Sequence, residues 1–155
     1  MRAIILLAVI GCATTAASNQ TVTLRSYGNP GAPPITVSVG RGHISGGTLN
    51  AWLDESCVHG NMGRLPVQFC RDDKGDSPVQ HWSGTSGEFT VKPSEDGQRI
   101  DVDGYWQLDS RRVVPLNQTI PMGHGTQWDE LRRNPALLVI ASTASDLQSV
   151  GIGRR

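Results

Sequence analysis

From Arg99 to Asp109 the chain alternates. Ile100, Val102, Gly104, Trp106 and Leu108 hold one parity; Arg99, Asp101, Asp103, Tyr105, Gln107 and Asp109 hold the other. A period of two with one apolar side describes a half-buried β-strand, and Gly104 at its centre predicts a bulge or a bend. Residues 88–92 form a second alternating segment, and Glu95-Asp96-Gly97 supplies a turn, so residues 88–109 hold the clearest hairpin in the chain. Residues 35–39 alternate in the same way. Leu49, Ala51 and Leu53 share a face ahead of Cys57, and the glycine-rich stretch 59–64 turns the chain back through Leu65 towards Cys70, centred on Gly63-Arg64. Counting parity straight through puts Cys57 in step with Leu53 but Cys70 opposite the apolar Val67 and Phe69. A bulge near Pro66 would reconcile the two.

One helix is predicted, over residues 126–133. Thr126 to Asp129 has the spacing of a capping box, Glu130 suits the first turn, and Arg132-Arg133 suit the last. Asn134-Pro135 ends it, and residues 137–140 then read as a buried strand. Eight to ten short turn-bounded strands with one late helix make an all-β chain: a small antiparallel β-barrel or β-sandwich with one short helix in the C-terminal half and one disulfide.

The first residues carry a different pattern. Arg2 precedes eight apolar residues, Ala3 to Ile10, followed by Gly11-Cys12 and small polar residues. The apolar run has signal-peptide length and falls far short of the ~20 residues that span a bilayer. Val9-Ile10-Gly11-Cys12 resembles the bacterial lipoprotein box, in which the cysteine is lipidated and becomes the mature N-terminus. Ala16-Ala17-Ser18 alternatively offers the small residues of an ordinary cleavage site near Asn19. Residues 1–18 are therefore expected to be a signal peptide, ending before Cys12 if the chain is a lipoprotein. Residues 19–34 are expected to be an extended tether, and residues 35–155 a single β-rich domain. Either processing route leaves Cys57 and Cys70, and one pair in a small exported chain predicts one disulfide.

Composition narrows the functional classes. Formal net charge is zero, and the arginine pairs 111–112, 132–133 and 154–155 stand apart. Nucleic acid, which needs a concentrated positive field, is not an expected partner. No second long apolar span follows, so contact with a membrane is expected only through a lipid anchor on Cys12. No CxxC or HxxxH pair occurs, and no metal or other cofactor is expected.

Catalytic motifs fail on inspection. Gly75-Asp76-Ser77 is followed by Pro78 and Val79 where a serine protease carries glycines, and Pro78 has no N–H for an oxyanion hole. Ser83-Gly-Thr-Ser-Gly87 does not satisfy the Gly-x-Ser-x-Gly elbow. Asp101 and Asp103 would point the same way from one strand about 7 Å apart, near the spacing of an inverting glycosidase pair. The polar face of a half-exposed strand is, however, the ordinary place for both. His43 and His124 lie in glycine-flanked stretches and are candidate binding residues. Trp52, Trp82 and Tyr105 are candidates for an exposed aromatic contact, whereas Trp106 falls in step with the core.

The expected function is that of an exported, non-catalytic binding module of the bacterial cell envelope. It would sit in the periplasm, anchored to the outer membrane, or outside the cell. Its partner would be a protein, as for an inhibitor, an immunity-type protein or a structural lipoprotein subunit. A carbohydrate- or peptidoglycan-binding module is the alternative, with a small hydrolase behind both.

Overall fold

The protein is described here from a computed structural model that covers residues 19–25, 30–73 and 75–149. The expected signal peptide and Cys12 lie outside the described residues. Ten strands follow one another: β1 (Gln20–Leu24), β2 (Ile35–Gly40), β3 (His43–Gly46), β4 (Leu49–Asp54), β5 (Cys57–Met62), β6 (Leu65–Arg71), β7 (Gln80–Gly84), β8 (Gly87–Pro93), β9 (Arg99–Gln107) and β10 (Val113–Pro121). Each pairs antiparallel with its neighbour in sequence, giving a single ten-stranded meander in the order 1 to 10. A 3₁₀ turn (Thr126–Trp128), helix α1 (Asp129–Arg133) and helix α2 (Pro135–Ser149) follow.

The chain is mostly antiparallel β, and among the described residues the sheet does not close into a barrel, because its edges β1 and β10 do not pair. It curls instead. Helix α2 touches both edge strands and the central β4 and β5, while the 3₁₀ turn touches β1 and α1 touches β2. The chain therefore crosses back from the last strand to the first, and α2 lies in the trough between them. The core is built from the inward positions of the sheet, such as Val37, Ile44, Val58, Phe69, Phe89, Ile100, Trp106 and Ile120, packed against α2. Trp106 has no exposed surface, and Phe69 meets it edge-on at 5.1 Å between ring centres.

Helix α2 replaces the strand expected over residues 137–140. Ala136 through Ala141 have no exposed surface. A helix covered on every side loses its amphipathic stripe, and a short apolar run then reads equally well as a buried strand. Pro135, expected only to stop the preceding helix, does so and also occupies the first position of α2, where its missing N–H costs nothing. The predicted capping box does not form. Gly125 caps the 3₁₀ turn without a side-chain bond, and α1 begins at Asp129. Two helices thus stand where one was expected. Residues 20–24, expected to lie in the tether, form β1 and bury Val22 and Leu24.

Curvature is made possible by glycines on the inner face. Gly46, Gly60, Gly84 and Gly104 lie on β3, β5, β7 and β9. The register moves each one row further along, so they trace a diagonal across the sheet. A Cβ on Gly60 would lie 2.6 Å from Ala51 Cα, and one on Gly104 2.6 Å from Phe89 Cα. These strands approach on the concave side more closely than any side chain permits. Gly104 also has φ of +148°, a conformation left almost entirely to glycine. Of the bulge or bend expected there, the bulge is absent, for β9 keeps unbroken register with β8 and β10 through Gly104.

Cys57 and Cys70 are disulfide-bonded and directly opposite on β5 and β6. No bulge near Pro66 is needed. Glu55-Ser56 is a two-residue turn that places Cys57 opposite Asp54, so parity restarts across it and Cys57 shares the outer face with Trp52. Gly63-Arg64 closes the next hairpin, with Met62 opposite Leu65.

Three variants test these packing relations. Gly104→Val should lower unfolding free energy by roughly 3 kcal/mol through overpacking and backbone strain, read as a lower denaturation midpoint. Gly75→Ala, with nothing within 4 Å of the added methyl, should shift it by less than about 0.5 kcal/mol. Replacing both Cys57 and Cys70 by serine should cost about 3 kcal/mol while leaving the far-UV circular dichroism of the sheet in place.

Candidate functional site

Strand β4 alternates, with Leu49 and Ala51 buried and Trp52 and Asp54 exposed. The two-residue turns on either side of it set the register so that His43, Trp52, His59 and Gln68 stand directly opposite one another on β3, β4, β5 and β6. The result is one straight row on the outer face. Trp52 is 41% exposed, a large value for an indole on a sheet. His43 stacks on one side of it at 5.0 Å and 26° between planes, and His59 on the other at 6.1 Å and 22°. The three rings stand side by side, so the indole presents its edge to solvent while its two faces meet imidazoles. His43 Nε2 donates to Asn50 Oδ1 at 2.7 Å, which orients that ring. One row beyond, Asp54, Cys57, Cys70 and Ser83 continue across the same face, so the disulfide borders the ridge.

The other candidate residues do not join this row. Trp82 is buried at 4% exposure, which corrects its expected role as an exposed contact. Its strand turns it inward, where it stacks on Phe89 at 6.3 Å and its Nε1 donates to Gln80 Oε1 at 3.1 Å. Tyr105 is exposed but stands on β9, opposite Glu88 and Pro115 and five strands from Trp52. His124 is exposed in the connection after β10, where its carbonyl accepts from Gln127 Nε2 at 3.1 Å.

Two shallow depressions lie on the β7–β10 half of the sheet. One, of about 410 Å³, is lined by Asp72, Asp73, His81, Ser83, Glu88 and Phe89. No local pattern in the sequence marks these residues as a group, because strand pairing brings them together. Arg71 donates to Asp73 through Nε at 3.1 Å and Nη2 at 2.9 Å, and the His81 N–H donates to the same carboxylate at 3.1 Å. The Arg71 guanidinium, helped by that N–H, holds the Asp73 carboxyl well below the usual carboxylate range, and Asp73 in turn raises Arg71. Ser83 Oγ donates to Asp72, while His81 Nδ1 bonds Thr90 Oγ1, so serine and histidine do not face each other as nucleophile and base. Ser77 Oγ accepts from the Val79 N–H at 3.2 Å, the bond of a polar turn. The second depression, of about 640 Å³, holds Asp101 and Asp103. Among the described residues, no cluster of three or more His, Cys, Asp or Glu side chains could hold a metal.

No protein-family model, curated protein or solved structure matches the chain. Among the described residues, no helix is long and apolar enough to cross a membrane.

The Arg71–Asp73 contact predicts a pH dependence. Asp73 ionises more readily in the folded chain than in the unfolded one. The contact therefore adds stability above the ordinary carboxylate pKa of about 3.9 and loses it as pH falls below that value. Asp73→Asn should be less stable than the parent at neutral pH, and the difference between their denaturation midpoints should shrink below about pH 4.

Proposed function

We propose that this chain is an exported, non-catalytic binding module of the bacterial cell envelope, and that it docks a protein partner through the His43–Trp52–His59 ridge. The observation that carries the reading is an exposed tryptophan fixed between two stacked rings. A rigid, half-exposed indole amid hydrogen-bonding groups suits an interface hot spot, because little conformational freedom is left to lose on binding. Asn50 and Asn61, opposite each other one row away, and Gln68 at the end of the ridge supply such groups. A sugar stacked on Trp52 fits less well, since both indole faces meet imidazoles. The Cys57–Cys70 disulfide suits an oxidising compartment, and the lipoprotein-like Val9-Ile10-Gly11-Cys12 supports an envelope address. An inhibitor, an immunity-type protein and a structural lipoprotein subunit share this surface chemistry.

Affinity capture from envelope extracts with parent, Trp52→Ala and Tyr105→Ala proteins tests the reading. Trp52→Ala should weaken capture of the specific protein at least about tenfold, equivalent to roughly 1.4 kcal/mol, while Tyr105→Ala retains it. A protein captured equally by all three would sink the ridge as the docking surface. Intact mass of the mature N-terminus from the same material reads the address: a lipid mass on Cys12 supports anchoring, and a start near Asn19 supports a free exported form.

A further inference from the structure

The outer face of β8–β10 carries an ordered array independent of the ridge. Lys92, Asp101 and Thr119 stand opposite one another across the three strands. Thr90, Asp103 and Asn117 form the next row, and Glu88, Tyr105 and Pro115 the one after. The first two rows line the depression of about 640 Å³, and Tyr105, 37% exposed, stands in the adjoining row of the same face, one row beyond that lining. We infer that this depression is a binding site for a neutral saccharide, with the Tyr105 ring as its stacking platform.

The chemistry of the lining selects that class. Two carboxylates offer acceptors, one ammonium offers donors, and two amides and two hydroxyls offer both. Part of this capacity is taken: Thr119 Oγ1 donates to Asp101 Oδ1 at 2.6 Å, and Thr90 Oγ1 bonds His81 Nδ1 at 3.0 Å. Among the described residues, the side chains of Lys92, Asp103 and Asn117 make no hydrogen bond or ion pair and are open to a ligand. A sugar hydroxyl donates and accepts at once. Vicinal hydroxyls can give protons to Asp103 while taking them from Lys92 and Asn117. The formal charge of the lining, two carboxylates against one ammonium, disfavours phosphate and sulfate esters, and its polarity disfavours lipid. Tyr105, unlike Trp52, stacks on no other ring among the described residues. Its exposed part can meet the flat C–H side of a hexose, which is broadest when every hydroxyl is equatorial. That geometry points to β-1,4-linked hexose chains.

The test titrates 15N-labelled protein with cellotetraose, chitotetraose or maltotetraose at millimolar concentrations and follows the backbone amide resonances. Cellotetraose and chitotetraose, which separate a plain glucan source from an N-acetylhexosamine one, should shift the amides of residues 90–92, 101–105 and 117–119. Maltotetraose should act more weakly. Tyr105→Ala and, separately, Asp103→Asn should raise Kd at least about tenfold, while Trp52→Ala leaves it unchanged. These residues are exposed, and retained dispersion of the other resonances verifies folding of each variant. Absence of shifts with all three sugars, or shifts that survive both substitutions, would overturn the inference. The same shifts produced by calcium chloride without sugar would also overturn it, making the carboxylates a cation site. Loss of saccharide binding in Tyr105→Ala with protein capture intact distinguishes this site from the ridge.

Discussion

A sheet with one apolar face must hide that face, and here a single buried helix does the hiding. For ten strands to reach one cylinder of side chains, their concave backbones must come closer together than Cβ atoms permit. The diagonal of inner-face glycines meets that geometric demand. With the curl, α2 loses all contact with water over most of its length and both edge strands find a partner surface. Phe69, Phe89 and Trp106 meet edge to face within the core that results. The glycines weaken each strand locally, and the burial they permit offsets this at roughly 25 cal/mol per Å² of apolar surface.

The same curl determines what the outside can do. With the inner face filled by side chains and helix, outward residues meet only across strands, in straight rows. That is how a ridge of three rings forms on β3–β5 and a mixed polar array on β8–β10. Both consist of residues distant in sequence and adjacent in register; two-residue turns fix the register of the ridge, and five-residue connections join the strands of the polar array. The disulfide holds one of these hairpins beside the ridge.

Much of this was legible in the chain and some was not. The alternation from Arg99 to Asp109 announced β9, because one face is wet and the other dry. Gly63-Arg64 announced the β5–β6 turn. Cys57 was assigned the wrong face because a two-residue turn restarts parity, a matter of hairpin geometry and not of composition. Helix α2 was misread because complete burial erases the difference between helical and extended apolar runs. β1 was missed because a five-residue strand followed by a turn-rich, proline-containing stretch looks like a tether. Trp52 outward and Trp106 inward followed from parity, whereas Trp82 sits in a Gly/Ser-rich stretch with too little alternation to orient it. The depression at Asp72, Asp73 and His81 depends on pairing between β6, β7 and β8, which no local pattern encodes.

Because every strand pairs with its sequence neighbour, the sheet can grow hairpin by hairpin as the chain emerges. Helix α2, the last of the described elements, is the piece that covers the apolar trough. Until residues 135–149 arrive, a nearly complete sheet carries its hydrophobic side bare. Biogenesis thus has a vulnerable interval set by the order of elements along the polypeptide. A chain cut short ahead of Pro135 would be a sticky intermediate, prone to self-association and in need of a holding chaperone.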